Sequence, residues 1–492
     1  MTPQLMIQLG LLLPLLALVL VVVTGSIPNL RETCTLAVSA ILFWVVGNLA
    51  AQVFAGLRPE WLLGPMFPGF DLAFRVEPLG MVFALVASGL WIVTTVYAIG
   101  YMRGHNEIHQ TRFYACFAVA IFAAMAAAFA ANLFTLFVAY EIMTISTYPL
   151  VTHHGTTKAR NGGRVYLGIL LSTSIALFML AIAWTWQVCG TLNFVEGGIL
   201  AGPYGQGRIS IGQLTILLAL FAFGIGKAAL MPVHRWLPAA MVAPTPVSAL
   251  LHAVAVVKVG VFSILKVAVY VFGIDLMADT GISDWLCYVA GATILLASLV
   301  AMTRDNLKAR LAYSTVSQLA YVTLGAALAT STGIIGGGMH IVMHAVGKIT
   351  LFFCAGAIYV GAHKTEISEM RGLGRAMPIT FAAFLIASLS IIGIPPGGGA
   401  WSKWFLAVGT VESGKLFLLA ALMISSLLNI AYLVPIPIRA FMAPREGEPL
   451  AFREAPLFCV IPLCLTAVGS IALFFVADDI YQWLLPITTA DS

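Results

Sequence analysis

Long apolar runs alternate with short polar segments along the whole chain. A helix needs about 20 mostly apolar residues to cross the roughly 30 Å hydrocarbon core of a bilayer. Fourteen runs meet this length and predict fourteen transmembrane helices. The runs lie near 5–24, 33–55, 78–102, 113–130, 132–152, 165–186, 210–230, 243–272, 283–303, 311–330, 333–361, 379–408, 415–438 and 456–486.

Composition indicates the same class of protein. Of the 492 residues, 61% are hydrophobic and only 9% are charged, whereas about a quarter of the residues of a soluble domain are charged. This excludes a soluble enzyme, a nucleic-acid binder and a disordered scaffold. The net charge of +5 is spread along the chain, so it forms no patch for nucleic acid. We expect an all-α polytopic membrane protein in a lipid bilayer.

The positive residues between the predicted spans indicate orientation. With fourteen spans, one side carries 16 Lys and Arg residues and the other carries 4. Cytoplasmic loops are enriched in these residues, so we expect a multi-pass protein of the cell membrane with both termini on the extracytoplasmic side. The first run has no preceding Lys or Arg and no obvious cleavage site, which favours a retained helix over a signal peptide. The richer side carries Arg31, Arg103, Arg112, Lys158, Arg160, Arg164, Arg235, Arg304, Lys308, Arg310, Lys364, Arg371, Arg375, Arg439, Arg445 and Arg453.

Five lysines and one glutamate lie in the interior of predicted spans. A charge at the bilayer centre costs at least about 2.5–3.5 kcal/mol, and a buried lysine can release and regain a proton, whereas arginine stays protonated. The residues therefore predict proton transfer, with a static buried ion pair as the alternative. Lys266 lies near the end of its span, where we expect it to extend to the lipid headgroups. The six are Glu141, Lys227, Lys258, Lys266, Lys348 and Lys403.

Three titratable residues are regularly spaced in the eleventh span. His340, His344 and Lys348 follow one another at intervals of four residues, which places them along one side of a helix over roughly 12 Å. A lone histidine would more often be a satisfied core residue, but this set favours a proton path. For His252, six residues before Lys258, a functional and a structural role are equally compatible with the sequence.

Two predicted spans are interrupted by proline. Pro232 follows Lys227, and Pro395–Pro396 precede Lys403. A broken helix beside an intramembrane lysine is typical of a transport site. The breaks are five spans apart, and a five-helix repeat in tandem inserts upside down the second time. The predicted divisions are helices 1–3 (1–112), a first five-helix repeat (113–273), a second inverted repeat (283–440) and helix 14 (441–492).

One polar segment superficially resembles a metal site. His105, Glu107 and His109 lie close together, but they lack the helical spacing of HExxH, so a solvated loop is the better interpretation. We find no nucleotide, haem or nucleophile motif, and we therefore expect no cofactor, no metal and no catalytic residue.

Five stretches carry distinctive motifs: YEIMTISTYPLV (140–151), FGIGKAALMPVHRWLPAAMVAPTPVSALLHAVAVVKVG (223–260), RDNLKARLAYSTVSQLAYV (304–322), HIVMHAVGKITLFF (340–353) and GIPPGGGAWSKW (393–404). Together they resemble the antiporter-like subunit family, which is shared by Mrp-type multisubunit Na⁺/H⁺ antiporters, respiratory complex I and membrane-bound hydrogenases. The resemblance implies fourteen helices with two inverted five-helix repeats and two broken helices.

The resemblance also implies roles for the buried residues. Glu141 matches the carboxylate that pairs with the lysine of the first broken helix, here Lys227. Lys258 matches the next relay lysine, His340, His344 and Lys348 match the central connection, and Lys403 matches the terminal residue. A lysine at this last position resembles the D-type subunit of Mrp antiporters. The sequence departs from the family pattern at Ala239, where an acidic residue is common, and at Gly397–Gly399, which we expect to loosen the second break.

These features favour a proton-translocating subunit of a cation/proton antiporter, with Na⁺ as the expected cation and other membrane subunits as partners. The chain would be a transporter subunit and not an enzyme. One alternative is the same kind of subunit in a redox-driven complex of the NADH/quinone oxidoreductase or hydrogenase type. The other is a self-sufficient secondary transporter, which would need a substrate pocket in addition to the lysines.

Overall fold

The computed structural model describes residues 1–67, 69–443 and 452–488. Arg445, which contributes to the predicted orientation, and part of the predicted division 441–492 lie outside these residues. Helices of ten or more residues are numbered α1 to α15. They are α1 (Pro3–Val23), α2 (Pro28–Phe54), α3 (Pro78–Gly104), α4 (Gln110–Ala128), α5 (Leu133–Val151), α6 (Thr157–Cys189), α7 (Ile211–Gly224), α8 (Thr245–Phe272), α9 (Asp284–Met302), α10 (Leu307–Ala327), α11 (Ser331–Ala362), α12 (Pro378–Ile392), α13 (Gly399–Glu412), α14 (Leu416–Phe441) and α15 (Leu457–Phe475).

Shorter helical segments connect the long ones. They are Ala201–Gly205, Gly226–Ala228, Val233–Arg235, Trp236–Ala239, Ala240–Val242, Ile274–Thr280, Ile367–Glu369, Leu373–Ala376, Ala477–Leu484 and Leu485–Ile487. In the described part of the chain, eleven helices are long and apolar enough to cross a membrane. The predicted helical membrane class is therefore confirmed at this level.

Three predicted spans do not coincide with one of these eleven helices. The span at 210–230 is interrupted because α7 ends at Gly224, and the span at 379–408 is divided between α12 and α13. Helix α10 is long enough but carries many polar side chains, in agreement with its position in the interior. Both interruptions lie close to the prolines that predicted them.

The expectation of an all-α chain is wrong in one place. Strands β1 (Glu60–Phe67) and β2 (Phe70–Arg75) form an antiparallel hairpin between α2 and α3. Backbone groups of β2 also bond to the connection between α4 and α5, where the Ala131 N–H donates to the Ala73 carbonyl at 3.0 Å. Neither strand has a regular alternation of apolar residues that would have predicted it. The hairpin is held by backbone hydrogen bonds, both between its strands and to the ends of neighbouring helices.

Helices α8 and α11 form the centre of the molecule. The apolar part of α8 is completely buried and that of α11 is 94% buried, against 39% for α14 and α15. Helix α11 packs against α3, α8, α10, α12, α13 and α15. A span enclosed by protein can carry polar groups that lipid would not tolerate, and most of the predicted site residues lie on or against these two helices.

Candidate proton-transfer site

Lys227 lies in the short segment Gly226–Ala228, directly after α7 ends. Its Nζ donates hydrogen bonds to the Tyr140 carbonyl at 2.7 Å and to Thr144 Oγ1 at 2.6 Å, and its backbone N–H donates to the Tyr140 hydroxyl at 2.9 Å. The Trp236 indole N–H donates to the Gly226 carbonyl at 2.9 Å. These bonds satisfy backbone groups that the interrupted helix leaves free.

The expected ion pair between Lys227 and Glu141 is not formed in this structure. No Glu141 oxygen lies within 4.0 Å of Lys227 Nζ, and Glu141 Oε1 is buried with no hydrogen-bond partner among the described residues. The physical reason is helix geometry. Tyr140 and Thr144, four residues apart, lie on one side of α5, and Glu141 is rotated about 100° from Tyr140.

Lys258 and His344 meet where α8 packs on α11. Lys258 Nζ lies 2.5 Å from His344 Nδ1, and both side chains are buried. The rings of His344 and His340 are stacked, with centroids 5.7 Å apart. His340 Nδ1 lies 2.9 Å from Ser402 Oγ on α13. A lysine, two stacked histidines and a hydroxyl thus follow one another from α8 to α13, and the two imidazole rings share no hydrogen bond.

Lys403 is the residue after Ser402 and is half-buried. Its Nζ donates to the Ile392 carbonyl at 3.0 Å and to Ser426 Oγ at 3.2 Å, and it lies 4.8 Å from the centre of the Tyr321 ring. The Ile392 carbonyl ends α12 and has no following helical turn to bond. A lysine is favourable at such a C-terminus because it neutralises the exposed carbonyl dipoles.

Lys348 does not lie in line with the two histidines. Its Nζ donates to Ser314 Oγ on α10 at 2.7 Å, and the Tyr432 hydroxyl donates to the same oxygen at 2.9 Å. Eight residues at 100° each rotate Lys348 about 80° away from His340 around the helix axis. The three residues were predicted to lie along one side of the helix. In the structure the two histidines face α8 and α13, whereas the lysine faces α10.

His252 is buried between α8 and α11. Its ring lies 4.6 Å from that of Phe352, and neither ring nitrogen has a hydrogen-bond partner among the described residues. Along α8, His252 lies between Thr245, at the start of the helix, and Lys258.

The expectation that Lys266 extends to the headgroups is wrong. Its side chain is fully buried, its Nζ donates to the Ala130 carbonyl at 2.6 Å, and it lies 3.6 Å from Glu77 Oε1. Sequence reasoning missed Glu77 because it directly precedes the apolar run that begins at Pro78. A carboxylate at the very edge of a span is the signal that could have identified it.

The segment around Glu107 also differs from its prediction as a solvated loop. The Glu107 side chain is buried and contacted by His105 at 3.0 Å, His154 at 3.6 Å and His153 at 3.8 Å. Burial, reinforced by Arg112, lowers the pKa of His153 to about 4. His109 is outside this cluster. Among the described residues, no group of three or more His, Cys, Asp or Glu side chains has an arrangement that could hold a metal ion.

Two cavities lie at opposite ends of α8. The Thr245 cavity has a volume of about 600 Å³, and Thr245, Lys158, Lys308 and Lys364 are among its lining residues. The Tyr270 cavity has a volume of about 300 Å³ and is lined by Arg58, Glu60, Arg75, Glu77, Phe194, Val195, Glu196 and Tyr270. Helix α8 therefore connects two spaces that open on opposite faces.

Comparisons with known proteins place these residues in a family. Residues 130–429 match the family described as NADH:quinone oxidoreductase/Mrp antiporter, TM. NADH-quinone oxidoreductase subunit N from Desulforudis audaxviator is 29% identical over 482 residues, which is 94% of each chain. The D-type subunit of a Na(+)/H(+) antiporter from Alkalihalophilus pseudofirmus is 26% identical over 442 residues, 89% of this chain and 87% of that one.

A solved structure agrees in fold. A chain of the Mrp complex from Dietzia sp. DQ12-45-1b superposes with a TM-score of 0.86 over 99% of this chain and 97% of that one, at 21% identity. The matched residues 130–429 make up more than half of the chain and include Glu141, Lys227, Lys258 and Lys403. The resemblance stated from the motifs is confirmed: the chain belongs to the NADH:quinone oxidoreductase/Mrp antiporter transmembrane family and is a multi-pass, antiporter-like membrane subunit.

Proposed function

We propose that this chain is the proton-translocating subunit of a multisubunit Na⁺/H⁺ antiporter in the cell membrane. The observation that supports this most strongly is the contact between Lys258 and His344. It joins the two most buried helices through groups that can each gain and lose a proton. The similarity to the D-type antiporter protein over 87% of its length supports the antiporter assignment.

In the proposed path, protons move laterally through the centre of the molecule. His344, His340 and Ser402 lead from Lys258 to Lys403, at the break between α12 and α13. At the other end, Gly260 packs so closely that a Cβ there would collide with the backbone of Lys227 and Ala228. Lys227 is therefore adjacent to the helix that carries Lys258, and bridging water would complete the connection.

Glu141 has the role of biasing Lys227. The separation of the two side chains in this structure corresponds to an open pair, in which the lysine is held by Tyr140 and Thr144 instead. Closing the pair would favour a charged Lys227, and opening it would favour release of the proton toward Lys258. This needs only two arrangements that differ by a few kcal/mol.

Lys348 lies beside this lateral proton path. Its hydrogen-bonded neighbours Ser314 and Tyr432 provide a second route for protons that joins the path. The Thr245 cavity supplies protons from the predicted cytoplasmic face. Thr245 and Ala355, which line it, lie seven residues along their helices from His252 and Lys348 respectively, or about 10 Å.

We further propose fourteen membrane crossings and inverted repeats at 113–273 and 283–440, flanked by 1–112 and 441–492, with both termini extracytoplasmic. The two breaks support the repeats, because each places a lysine beside the end of an interrupted helix. Other membrane subunits would complete the transporter.

The second candidate function is the same proton path in a redox-driven complex. The similarity to an NADH-quinone oxidoreductase subunit N over 94% of both chains favours it. In that case electron transfer in other subunits would drive the lysine chain, and this chain itself would carry no redox chemistry.

Two measurements distinguish the candidates. The first is mass spectrometry of the subunits that co-purify with this chain in mild detergent. Small hydrophobic subunits and a larger homologue support the antiporter, whereas flavin or iron–sulfur proteins support the redox complex. The second is proton flux in inverted membrane vesicles after addition of Na⁺ or of an electron donor. Flux that depends on neither would contradict both functions.

A further inference from the structure

Helix α8 carries its titratable residues in order between the two cavities. Thr245 lines one cavity and Tyr270 lines the other, and His252, Lys258 and Lys266 lie between them. The 28 residues of α8 extend over about 42 Å, which is enough to cross the membrane. The proposed lateral path uses Lys258 but gives no role to Lys266 and Glu77.

Glu77 is only partly satisfied by its protein neighbours. Its Oε1 accepts from Arg75 Nη2 at 3.4 Å and lies 3.6 Å from Lys266 Nζ. Its Oε2 is buried and has no hydrogen-bond partner among the described residues. A buried ion pair is stable only when its remaining hydrogen-bonding positions are filled. An ion pair with a purely structural role would be expected to fill both oxygens.

The Tyr270 cavity offers space for a partner of Glu77. Glu77 lines this cavity of about 300 Å³, which has room for several water molecules. The charged and titratable groups that face Glu77 and the cavity are Arg58, Glu60, Arg75, Glu196, Lys266 and Tyr270. The cavity therefore joins a buried carboxylate to the face that carries Arg58 and Glu196.

Lys266 is placed so that it can exist in both protonation states. Its Nζ donates to the neutral Ala130 carbonyl and lies 4.5 Å from the centre of the Phe194 ring. A neutral amine can keep the carbonyl bond, since it still has N–H groups to donate. Loss of one proton therefore leaves no new unpaired donor.

We propose that Lys266 and Glu77 form a proton port, the Glu77 port, which connects α8 to the extracytoplasmic face separately from Lys403. A proton leaves the Lys266 ammonium for the Glu77 carboxylate, which leaves a neutral amine and a carboxylic acid. The carboxylic acid then passes its proton to cavity water, which restores the carboxylate. Uptake runs through the same steps in reverse. This inference rests on the proposed function.

The test is Lys266→Arg in the assembled complex, measured as proton flux in inverted membrane vesicles. Arginine keeps the charge and can hold Glu77 but does not release a proton. The port predicts at least about a tenfold loss of flux with assembly unchanged, whereas a structural ion pair predicts wild-type flux and would overturn the proposal. The matched control is Asp284→Asn, which removes the ion pair between the exposed Asp284 and the half-buried Lys415 on the same face and should leave flux unchanged.

A second pair of variants, compared with the wild type, applies if Lys266→Arg does not assemble. Glu77→Asp keeps the carboxylate and should retain flux with a changed pH profile, while Glu77→Gln should lose it. Equal flux and pH profile in all three proteins would overturn the port. If the wild-type complex itself shows no proton flux, the proposed function fails. If wild-type flux is normal and insensitive to Glu77 and Lys266, only the port fails.

Discussion

Lys258 on α8 and His344 on α11 are joined at 2.5 Å between Nζ and Nδ1, in the most buried part of the molecule. One of the two nitrogens must act as donor and the other as acceptor, so the pair cannot be fully protonated without breaking the contact. A single proton shared between them is the simplest arrangement, and it connects the two central helices.

His344→Phe should abolish proton flux and leave the complex assembled. Phenylalanine fills the same buried space but neither donates nor accepts a proton. We expect a loss of at least about tenfold, measured by quenching of a pH-sensitive dye in inverted vesicles. Lys415→Gln, at the surface, is the matched control. Unchanged flux in His344→Phe would exclude this contact from the path.

Glu141→Ala should also abolish flux with assembly intact. Since no Glu141 oxygen lies within 4.0 Å of a basic side chain in the described part of the chain, its removal leaves Lys227 with its present partners, Tyr140 and Thr144. The measurement is the amount of complex in the membrane together with its proton flux. A fully active Glu141→Ala protein would contradict the role we give to this carboxylate.

Gly260→Ala should destabilise the protein. A methyl group at Gly260 would collide with the backbone of Lys227 and Ala228, and overpacking of this kind costs about 1–3 kcal/mol. Gly168→Ala, where a Cβ would meet nothing within 4 Å, is the control. Thermal unfolding in detergent should show a lower transition for the first variant only, and equal transitions would contradict the close approach of α8 to the broken segment.

Acidification should destabilise the folded protein through protonation of His153. Its pKa is lowered to about 4 in the folded protein, against about 6.5 in an unfolded chain, so the unfolded state binds more protons between these values. The uncharged His153 therefore makes its full contribution to the free energy of unfolding above pH 6.5. This contribution decreases as the pH falls toward 4, by about 2 kcal/mol at pH 5.

His153→Gln should remove this dependence. Thermal unfolding of the purified protein at pH 7 and pH 5 should show a smaller difference for the variant than for the wild type. The exposed His363 provides the control, because His363→Asn should unfold with the wild-type dependence. Equal pH dependence in all three proteins would contradict burial of an uncharged His153.

The sequence alone determined the membrane class, the family and the identity of the lysines within the spans. Apolar runs of about 20 residues leave few alternatives to membrane helices, because lipid offers no hydrogen bonds to an open backbone. Lys227 and Lys403 were recognisable for a similar reason, since a charge beside a broken helix is too costly in lipid to be incidental.

Only the tertiary structure decided which side chains meet. Spacing placed His340, His344 and Lys348 on one helix, but their neighbours on α8, α10 and α13 directed the histidines and the lysine to different partners. The pairing of Lys266 with Glu77 joins residues almost 190 positions apart. Such contacts depend on the rotation and packing of whole helices, which hydrophobic periodicity does not specify because these central helices are apolar on nearly every side.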